Sequence, residues 1–397
     1  MLFPFPDYAG VEPSAEALSL VGAEALCPAH LRSSGREVTL VTRYEDARAV
    51  LADDRFSRAA AVALTITARK PTSLPLNVVD PPVHTGRRRS ISSALSARRI
   101  RDLQPGIEEL AESLLDEVEA ADGVVDLGPA FAWPLPVIVI CRLLGLPESD
   151  RAVFHPWVEV MMSIAKHSEA EVGEAHHRMA AYFTGVLKAK QARLAAGGEP
   201  ADMLEELLQP ANPALALPFA DLVVLGTGLL LAGYETSAHT LTACLYILIR
   251  HPEAADALRA EPDRVPRAVE EMMRWMSLNS TGGALHVATE DVELPGGTIP
   301  AGGVVLPLTD VANRDPAVFS CPADLDWARA DNPHLSFGHG RHRCPGATLG
   351  RVEVEIGVRA FLRRFRRVEL AVPVEELSWR DKTFIRGLAE LPVRVKP

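Results

Sequence analysis

The sequence predicts a mainly α-helical protein with small β-sheets. Residues 102 to 250 alternate amphipathic helical segments with short breaks, such as the one at Gly197-Gly198. Within them, an apolar segment from about Phe219 to Ile249 predicts one helix roughly 45 Å long, at 1.5 Å per residue. Patterns typical of strands are confined to short stretches, at 38–42 and within 285–308.

The N-terminal quarter mixes turns with short elements. Val38–Thr42 predicts a strand, and Tyr44–Ala52 has the apolar spacing of a helix. Residues 57–79 show little periodicity and contain two prolines, so we predict a long loop. A helix then opens at Asp80-Pro81-Pro82, because proline is tolerated in a first helical turn.

Two further regions complete the prediction. Residues 150–190 should form two helices and their connecting loop, and their four histidines (155, 167, 176 and 177) share no consistent helical spacing. We interpret these histidines as surface residues rather than metal ligands. Residues 285–308 predict short strands broken by Gly296-Gly297 and Gly302-Gly303, and Ala347 begins a C-terminal helix.

Composition excludes several classes of protein. The 397 residues are 48% hydrophobic and 23% charged, which provides ample material for a core. No linker or repeat divides the chain, so we predict a single domain, 1–397. The net charge of −11 argues against nucleic-acid binding.

The cysteine pattern and the apolar runs predict a cytoplasmic protein. The five cysteines are scattered, with no zinc-type spacing, so a reducing compartment is expected. The residues 1–7 lack a basic region followed by an apolar run, so we expect no signal peptide. The longest apolar run, Leu222 to Tyr234, is too short to span a bilayer.

Cys344 lies in the stretch Phe337-Gly338-His339-Gly340-Arg341-His342-Arg343-Cys344-Pro345-Gly346. Glycines allow tight turns and the close approach of a flat ligand, and a following helix N-terminus favours the thiolate. A thiolate can act as a nucleophile or bind a metal, including haem iron. A buried structural cysteine is the alternative.

Two other patterns suggest chemistry. Ala232-Gly233-Tyr234-Glu235-Thr236 places an acid and an alcohol in the middle of an apolar helix, where burial is unfavourable unless both are used. Thr236 can also bond back to the carbonyl four residues earlier. His84 and Arg88 share one helical face and could bind an anion, or they could form an ordinary surface pair.

Together these motifs resemble the cytochrome P450 family over nearly the whole chain. The pattern F-G-x-G-x-H-x-C-x-G is similar to its haem-binding loop, A-G-x-[DE]-T to its oxygen-binding motif, and D-P-P-x-H-T-x-x-R to a helix that holds a haem propionate. The spacing E-x-x-R at Glu271 and Arg274 matches a structural ion pair, for which Arg329 fits the third member. The resemblance implies the family's fold, a helix-rich triangular prism with small β-sheets.

The resemblance also implies roles for individual residues. Cys344 would be the axial ligand of haem b, and Glu235 and Thr236 would relay protons to bound oxygen at a helix bulge. Residues 57–79 and 150–190 would cover the substrate pocket, the latter as a mobile lid. The other expected haem contacts are His84, Arg88, Ala232, His286, Phe337, Gly338, His342 and Gly346. Candidate pocket residues are Gly282, Gly283, Ala284, Leu285, Ala232, Thr236, Thr383, Phe384, Ile385 and Arg386, and Arg386 could equally have a surface role.

The chain departs from the family pattern at two positions. His286 stands where many relatives carry an arginine that contacts a propionate, so we expect that contact to weaken as pH rises through the histidine pKa. Pro345 has no N–H to donate toward the sulfur. We therefore expect a more electron-rich thiolate and a lower iron potential, which Pro345→Leu should raise.

Arginines are concentrated in two segments although the chain is acidic. These clusters could be solvated helix faces. The resemblance instead places them on the electron-receiving side, where they would attract a ferredoxin supplied by its reductase with NAD(P)H electrons. Their members are Arg87, Arg88, Arg89, Arg98, Arg99 and Arg101 in the first, and Arg341, Arg343, Arg351, Arg359, Arg363, Arg364, Arg366 and Arg367 in the second.

The expected function is therefore that of a monooxygenase, likewise by resemblance. It would insert one oxygen atom from O2 into a small organic molecule, by hydroxylation or epoxidation, in the tailoring of a secondary metabolite such as an antibiotic. Oxidative coupling of a phenol or other aromatic is the alternative. A non-catalytic haem protein or a peroxide-using relative would not need the Glu235-Thr236 pair. We expect a monomer with no membrane partner.

Overall fold

The computed structural model describes residues 1–6, 10–22, 26–65, 74–121, 123–164 and 166–396. Over these residues the chain is mainly helical with short strands, as the sequence predicts. The helices are α1 (Ala15–Leu18), α2 (Tyr44–Ala52), α3 (Arg58–Thr65), α4 (Val83–Ile91), α5 (Ala97–Ala120), α6 (Pro134–Leu144), α7 (Arg151–Met161), α8 (Glu169–Ala195), α9 (Met203–Leu208), α10 (Phe219–Arg250), α11 (Pro252–Ala260), α12 (Val265–Trp275), α13 (Thr309–Ala312) and α14 (Ala347–Arg364). The strands are β1 (Leu2–Phe3), β2 (Leu26–Leu31), β3 (Glu37–Val41), β4 (Phe56–Ser57), β5 (Val125–Asp126), β6 (His286–Ala288), β7 (Val292–Leu294), β8 (Gly297–Ile299), β9 (Val304–Pro307), β10 (Arg367–Leu370) and β11 (Pro392–Lys396).

The chain forms two compact units. The first contains Met1–Lys70 and Ala243–Ala347, and the second contains Pro71–Thr242 and Thr348–Pro397. Helix α10 therefore contributes residues to both units, as does the start of α14.

The first unit is built around a sheet with the described strand order β1-β2-β3-β9-β6-β4. Strand β3 runs parallel to β9, which runs antiparallel to β6. Because successive side chains in a strand point to opposite faces, neighbouring residues enter different cores. Leu40 and Leu306 pack on one face, and Val41 and Val305 pack with α2 on the other.

A fully buried carboxylate organises the C-terminal part of this unit. Glu271 accepts hydrogen bonds from Arg274 Nη2 at 2.7 Å and from Arg329 Nε at 3.0 Å. It also accepts from the Asp326 N–H and from Asn332 Nδ2. The buried charge of Glu271 is thus compensated by two guanidinium groups and further donors, as buried ions require. The structural role predicted for these three charged residues agrees with this network.

The second unit packs helices around the first three quarters of α10. Glycines allow the closest approaches: a Cβ at Gly226 would lie 2.7 Å from the Phe183 ring of α8, and one at Gly357 of α14 would lie 2.9 Å from Leu241. Substitution at either glycine would therefore force neighbouring side chains to move. A sheet of the described strands β10, β11 and β5 completes the unit.

Helix α10 is long and apolar enough to cross a membrane by length and composition alone. The core helix of a globular domain meets the same criterion. In α10, the ionisable side chains of Glu235 and His239 are buried, as are the apolar residues Leu230 and Leu241. We therefore interpret α10 as a core helix.

Most predicted elements agree with the structure, and one is wrong. Helix α2 and strand β3 occur where expected, and residues 285–308 contain the four short strands β6 to β9. The long loop predicted over 57–79 instead begins with the end of β4 and helix α3, and it later contains a 3-10 turn at Leu76–Val78. Alanine, the strongest helix former, recurs in Arg58–Thr65, whereas the prolines that suggested a loop lie later. Residues 66–73 lie outside the described residues.

A second buried acid joins α14 to α10 within the second unit. The Ser237 hydroxyl forms a hydrogen bond with the Glu353 carboxyl. Burial raises the pKa of Glu353 to about 8, and this effect outweighs the opposing effect of Ser237. Glu353 is therefore protonated and neutral at pH 7 in the folded protein.

Protonation of Glu353 should make stability depend on pH. Between about pH 4.5 and about pH 8 the folded state holds a proton that the unfolded state has lost, so the free energy of unfolding should fall as pH rises, by a few kcal/mol in total. Glu353→Gln, which is always neutral, should remove this slope. Urea unfolding at several pH values measures it, with exposed Glu375→Gln as control. Equal slopes in wild type and Glu353→Gln would contradict the assignment.

Candidate functional site

The loop around Cys344 is a series of tight turns. Gly338 and Gly340 have φ values of +69° and +67°, a region that favours glycine. The N–H of Cys344 donates to the carbonyl of Phe337 at 2.8 Å, which closes the turn just before α14. Cys344 is half-buried.

This loop is fixed against the end of α2. A Cβ at Gly340 would lie 2.3 Å from the carbonyl oxygen of Leu51, so only glycine allows this approach. Arg341 follows and donates to the backbone carbonyls of Asp53 and Phe56 at 3.0 and 3.3 Å. The position of the sulfur is therefore set by contacts with α2 and β4, all within the first unit.

Cys344 differs from the other cysteines in its surroundings. Cys27, Cys141 and Cys244 are buried, and Cys321 is exposed. Burial raises the pKa of Cys141 to about 12 and raises that of Cys244 as well, so these two remain thiols. A half-buried cysteine in a glycine-rich turn is a suitable metal ligand.

The loop also suits a flat ligand. A Cβ added at Gly346 would lie 4.0 Å from the Cys344 sulfur, an ordinary van der Waals distance, so position 346 lies directly beside the sulfur. Phe337 and His342 are half-buried, as is Gly338. These residues therefore match a haem-thiolate site in their chemistry.

The expectation that His286 titrates near neutrality is wrong. His286 lies in β6, is buried, and accepts a hydrogen bond at Nε2 from Arg58 Nε at 3.0 Å. Burial and the charge of Arg58 lower its pKa to about 3, so the ring stays neutral at physiological pH. The positive charge at this position belongs to Arg58 of α3. The sequence offered no local signal for this pair, because 228 residues separate the two positions.

The expected anion-binding helix is α4, in the second unit. His84 is buried and Arg88 is half-buried on this helix. Between them in the sequence, the buried Arg87 forms an ion pair with the half-buried Asp221 of α10 at 3.0 Å. This ion pair joins α4 to α10.

The acid and alcohol of α10 have different surroundings. Thr236 is half-buried and donates to the carbonyl of Ala232 at 2.6 Å, the back-bond that the sequence suggested. Ala232 itself is exposed. Glu235 is buried and accepts from Arg380 Nη1 at 2.7 Å. Helix α10 is continuous here, so the bulge implied by the resemblance does not interrupt it.

Sequence reasoning missed the two partners of Glu235. His239 lies one turn later on α10, with its Nε2 atom 3.5 Å from the Glu235 carboxylate. Arg380 comes from the C-terminal segment, 145 residues away. The i,i+4 spacing could have indicated His239, but no local signal could have indicated Arg380.

Tyr234 also has a defined contact. Its hydroxyl lies 2.7 Å from Nδ1 of His155, which joins α10 to α7. The sequence gave neither residue a role. The pair connects one of the expected lid helices to the position immediately before Glu235.

The candidate pocket residues form two groups, one in each unit. Ala284 and Leu285 are half-buried just before β6, next to the buried Gly282 and the exposed Gly283. In the second unit Phe384 is exposed, Thr383 and Ile385 are buried, and Arg386 is half-buried.

Many of the clustered arginines are already paired with acids. Arg364 of α14 binds Glu112, Asp116 and Glu119 of α5, and Arg99 contacts Glu206. The two arginine-rich segments therefore form positively charged surface only in part, because acids neutralise several of their arginines. The exposed members are Arg89, Arg98, Arg101, Arg343, Arg363, Arg366 and Arg367.

Comparison with known proteins places this geometry in a family. The family model described as Cytochrome P450 matches residues 148–375. Nocardicin C N-oxygenase from Nocardia uniformis subsp. tsuyamanensis is 39% identical over 363 residues, 90% of each chain. Mycinamicin IV hydroxylase/epoxidase from Micromonospora griseorubida is 38% identical over 366 residues, again 90% of each.

Solved structures agree with the sequence comparison. A cytochrome P450 hydroxylase from the leinamycin biosynthetic pathway of Streptomyces atroolivaceus S-140 aligns with a TM-score of 0.89 and 39% identity, covering 99% of both chains. The half-buried cysteine in its glycine turn, the buried acid of α10 and these alignments lead to one conclusion. The chain belongs to the cytochrome P450 family and is a haem-dependent monooxygenase of the mainly α-helical P450 fold.

Proposed function

We propose that this enzyme inserts one oxygen atom from O2 into a small organic secondary metabolite, by hydroxylation or epoxidation, with Cys344 as the ligand of haem iron. The observation that carries the proposal is Cys344 itself, a half-buried cysteine in a turn that only glycine at position 340 permits. When bound, haem b supplies the iron chemistry that activates O2, with electrons that originate from NAD(P)H.

The named activities of the relatives support oxygen insertion. The two relatives are named as an N-oxygenase and a hydroxylase/epoxidase, and the aligned structure is that of a hydroxylase. All three names refer to natural products of actinobacteria. Phenol or aromatic coupling is therefore less well supported as the reaction of this chain.

The residues that would hold haem b are proposed by position. Cys344 would bind the iron, and Phe337, Gly338, His342 and Gly346 would form the surface beside it. His84 and Arg88 of α4 would bind a propionate, and Ala232 of α10 would contact the macrocycle. Arginine and histidine are suitable carboxylate partners because both donate charged hydrogen bonds.

We propose that Arg58, which contacts His286, supplies the positive charge that would bind a propionate carboxylate of the haem. A neutral His286 can only orient that guanidinium, and it does so through the Arg58 Nε–H to Nε2 bond. The chain would thus place its arginine on α3 where many relatives place it on the strand.

Glu235 and Thr236 are the proposed catalytic residues for proton delivery. Thr236 has a hydroxyl that can rotate from the Ala232 carbonyl toward a bound ligand, because an alcohol has one donor proton and two acceptor positions. Glu235, the next residue, is buried and accepts a hydrogen bond from Arg380. Both residues lie in the second unit.

The substrate class is proposed from the candidate pocket residues. Ala284 and Leu285 are apolar and half-buried, as expected for contact with an organic molecule. Phe384 and Ile385 add apolar surface, and Arg386 would suit an acidic substrate. The segment 150–190, with α7 and α8, is the proposed lid.

Electron donors and cellular context follow from the family. We propose a ferredoxin and its reductase as donors, attracted to the exposed arginines such as Arg343 and Arg366. We also propose that the chain acts in the cytoplasm as a monomeric single domain, with no nucleic-acid or membrane partner. The coverage of 99% of both chains in the structural alignment supports the single domain.

The first prediction of the proposed function concerns Cys344. Cys344→Ser should lose the carbon-monoxide difference spectrum typical of a thiolate-bound haem, because serine does not supply a thiolate. Cys321→Ser removes an exposed cysteine and is the matched control, which should keep a normal spectrum. A normal spectrum in Cys344→Ser would disprove the proposed ligand.

The second prediction concerns Arg58. Arg58→Gln should speed haem loss to apomyoglobin about 10-fold, since a charged hydrogen bond contributes on the order of 1.5 kcal/mol or more. In wild type the rate should show no step near about pH 6.5, because His286 stays neutral. Arg55→Gln, three residues earlier and exposed, is the control. Unchanged haem loss in Arg58→Gln would argue against the assignment.

The third prediction tests the function. Phenolic acids, macrolides and cyclic dipeptides are screened for spin-state shifts of the haem, and the compounds that give shifts are then offered for turnover. Oxygenated product should form with NADPH, a ferredoxin and its reductase, and little should form with peroxide alone. Turnover with peroxide only would indicate a peroxide-using enzyme. No turnover with any compound would indicate a non-catalytic haem protein. A product dimer joined by a carbon–carbon or carbon–oxygen bond would indicate the coupling alternative.

A further inference from the structure

A groove in the first unit shares no residue with the proposed haem and substrate sites. Its volume is about 530 Å³, and its walls come from residues 10–18, from residues 246–251 around the end of α10, and from Trp275 at the end of α12. All of these residues belong to the first unit. Pockets for small molecules commonly have volumes of roughly 300 to 1,000 Å³, so this α10-end groove has room for a small ligand.

The walls of the α10-end groove are held in place by hydrogen bonds. The N–H of Ser277 donates to the carbonyl of Val11 at 2.7 Å, which joins the N-terminal wall to the chain that follows α12. The indole N–H of Trp275 donates to the carbonyl of Ala323 at 2.7 Å, which fixes the orientation of its ring. The groove is therefore formed before a ligand arrives, and a ligand need not order its walls.

Aromatic and apolar side chains provide much of the groove surface. Tyr246 of α10 is buried and Trp275 is half-buried, and both line the groove. Val11 and Pro13 line it from the N-terminal segment, together with the half-buried Leu18 of α1. Such a surface favours a ligand with a flat apolar ring, because ring–ring contacts and the burial of apolar area both stabilise binding.

Two of the ionisable groups in the groove have partners within the protein. The Glu12 carboxylate lies 3.3 Å from Nη2 of the buried Arg314, whose guanidinium also lies over the Trp275 ring at 4.9 Å. Nη2 of Arg314 donates to the Trp275 carbonyl at 2.6 Å as well. Nδ1 of His251 lies 3.5 Å from the Glu253 carboxylate. The negative charge of Glu12 is therefore compensated by a guanidinium beneath the groove.

Arg250 adds a positive charge that is not compensated. It is exposed at the last residue of α10 and lines the groove, and its guanidinium has no hydrogen bond or ion pair within the part of the chain that the structure describes. A cation in the last turn is favourable for a helix, and this interaction leaves the N–H donors of the guanidinium available. An arginine can bind a carboxylate with two parallel hydrogen bonds. The groove thus combines a carboxylate partner with aromatic surface.

We propose that the α10-end groove is a second small-molecule site, which binds an aromatic carboxylic acid. The carboxylate would contact the Arg250 guanidinium, and the ring would lie against Tyr246 and Trp275. Glu12 keeps free acceptor positions on its carboxylate oxygens, so a ring hydroxyl on the acid adds a hydrogen bond. Binding is reversible and involves no chemical step.

The test uses the haem-loaded protein with 4-hydroxyphenylacetate as the probe. Excess 4-phenylimidazole occupies the haem pocket, so heat from the probe in a calorimetric titration reports binding outside that pocket. Wild type should bind one equivalent of the probe. Arg250→Gln should weaken binding at least about 10-fold, because the hydrogen bonds between guanidinium and carboxylate are lost.

Further comparisons separate the carboxylate from the ring. The neutral amide 4-hydroxyphenylacetamide should bind wild type more weakly than the acid does, and Arg250→Gln should not weaken its binding further. Leu18→Trp should fill the groove and abolish the binding of both compounds. Arg267→Gln removes an exposed arginine of α12 that does not line the groove, and this matched control should bind the acid as wild type does.

Three outcomes would overturn the proposal. The first is that wild type binds no probe at concentrations up to about 10 mM. The second is that Arg250→Gln binds the acid as tightly as wild type, since the carboxylate would then have another partner. The third is that Leu18→Trp leaves the affinity for the acid unchanged, since the probe would then bind outside the groove.

Discussion

The shared carboxylate of Glu271 is the contact on which the cysteine loop depends. It is fully buried, and its two oxygens accept from Arg274, Arg329, Asn332 and the backbone of Asp326. A buried charge with this many donors is stable only if every donor is in place, because an unpaired buried ion is strongly destabilising. The network thereby fixes the chain between α12 and residue 332, and the cysteine loop begins a few residues later. The position of Cys344, the proposed haem ligand, thus relies on an ion network of residues with a structural role.

Buried ionisable groups also hold elements together in the second unit, but they differ in their protonation states. Arg87 and Asp221 connect α4 to α10, and Ser237 binds Glu353 of α14. Glu353 is neutral because burial raises its pKa and the opposing hydrogen bond of Ser237 does not offset this effect. Glu235 is ionised because His239 and Arg380 together outweigh burial. Two glutamates associated with one helix therefore carry opposite protonation states, because burial prevails at one and the partners prevail at the other.

The sequence predicted the fold well where the signal is local. The helical spacing of Tyr44–Ala52 and the apolar length of α10 gave their bounds closely, because amphipathic and apolar periodicity reflects packing of the element itself. The segment 57–79 was wrong in its first part, since prolines near 71 and 75 hid an alanine-rich helix before them. Cys344, Glu235 and Thr236 were predicted as site residues from their motifs and from the family that these motifs resemble, and their roles stay predictions.

What the sequence could not supply were contacts between distant positions. Arg58 and His286, and Arg380 and Glu235, are separated by 228 and 145 residues, and neither pair has a spacing rule. These contacts nevertheless change the chemistry, because the Arg58 contact adds to burial in keeping His286 neutral and the Arg380 contact helps to keep Glu235 ionised. Likewise, the arginine cluster of α14 looked uniformly basic in sequence, yet Arg364 is occupied by three acids of α5.

The close approach of Gly340 to Leu51 limits which segments of the chain can be exchanged separately. A methyl group at position 340 would lie 2.3 Å from the Leu51 carbonyl oxygen. The distance between the end of α2 and the cysteine loop therefore constrains both segments. Lengthening the turn after α2 by one residue should therefore shift the Cys344 sulfur, the proposed haem ligand, as a change in the loop itself would. Chimeras of this enzyme should therefore exchange residues 44–57 and 337–346 together, as a single cassette.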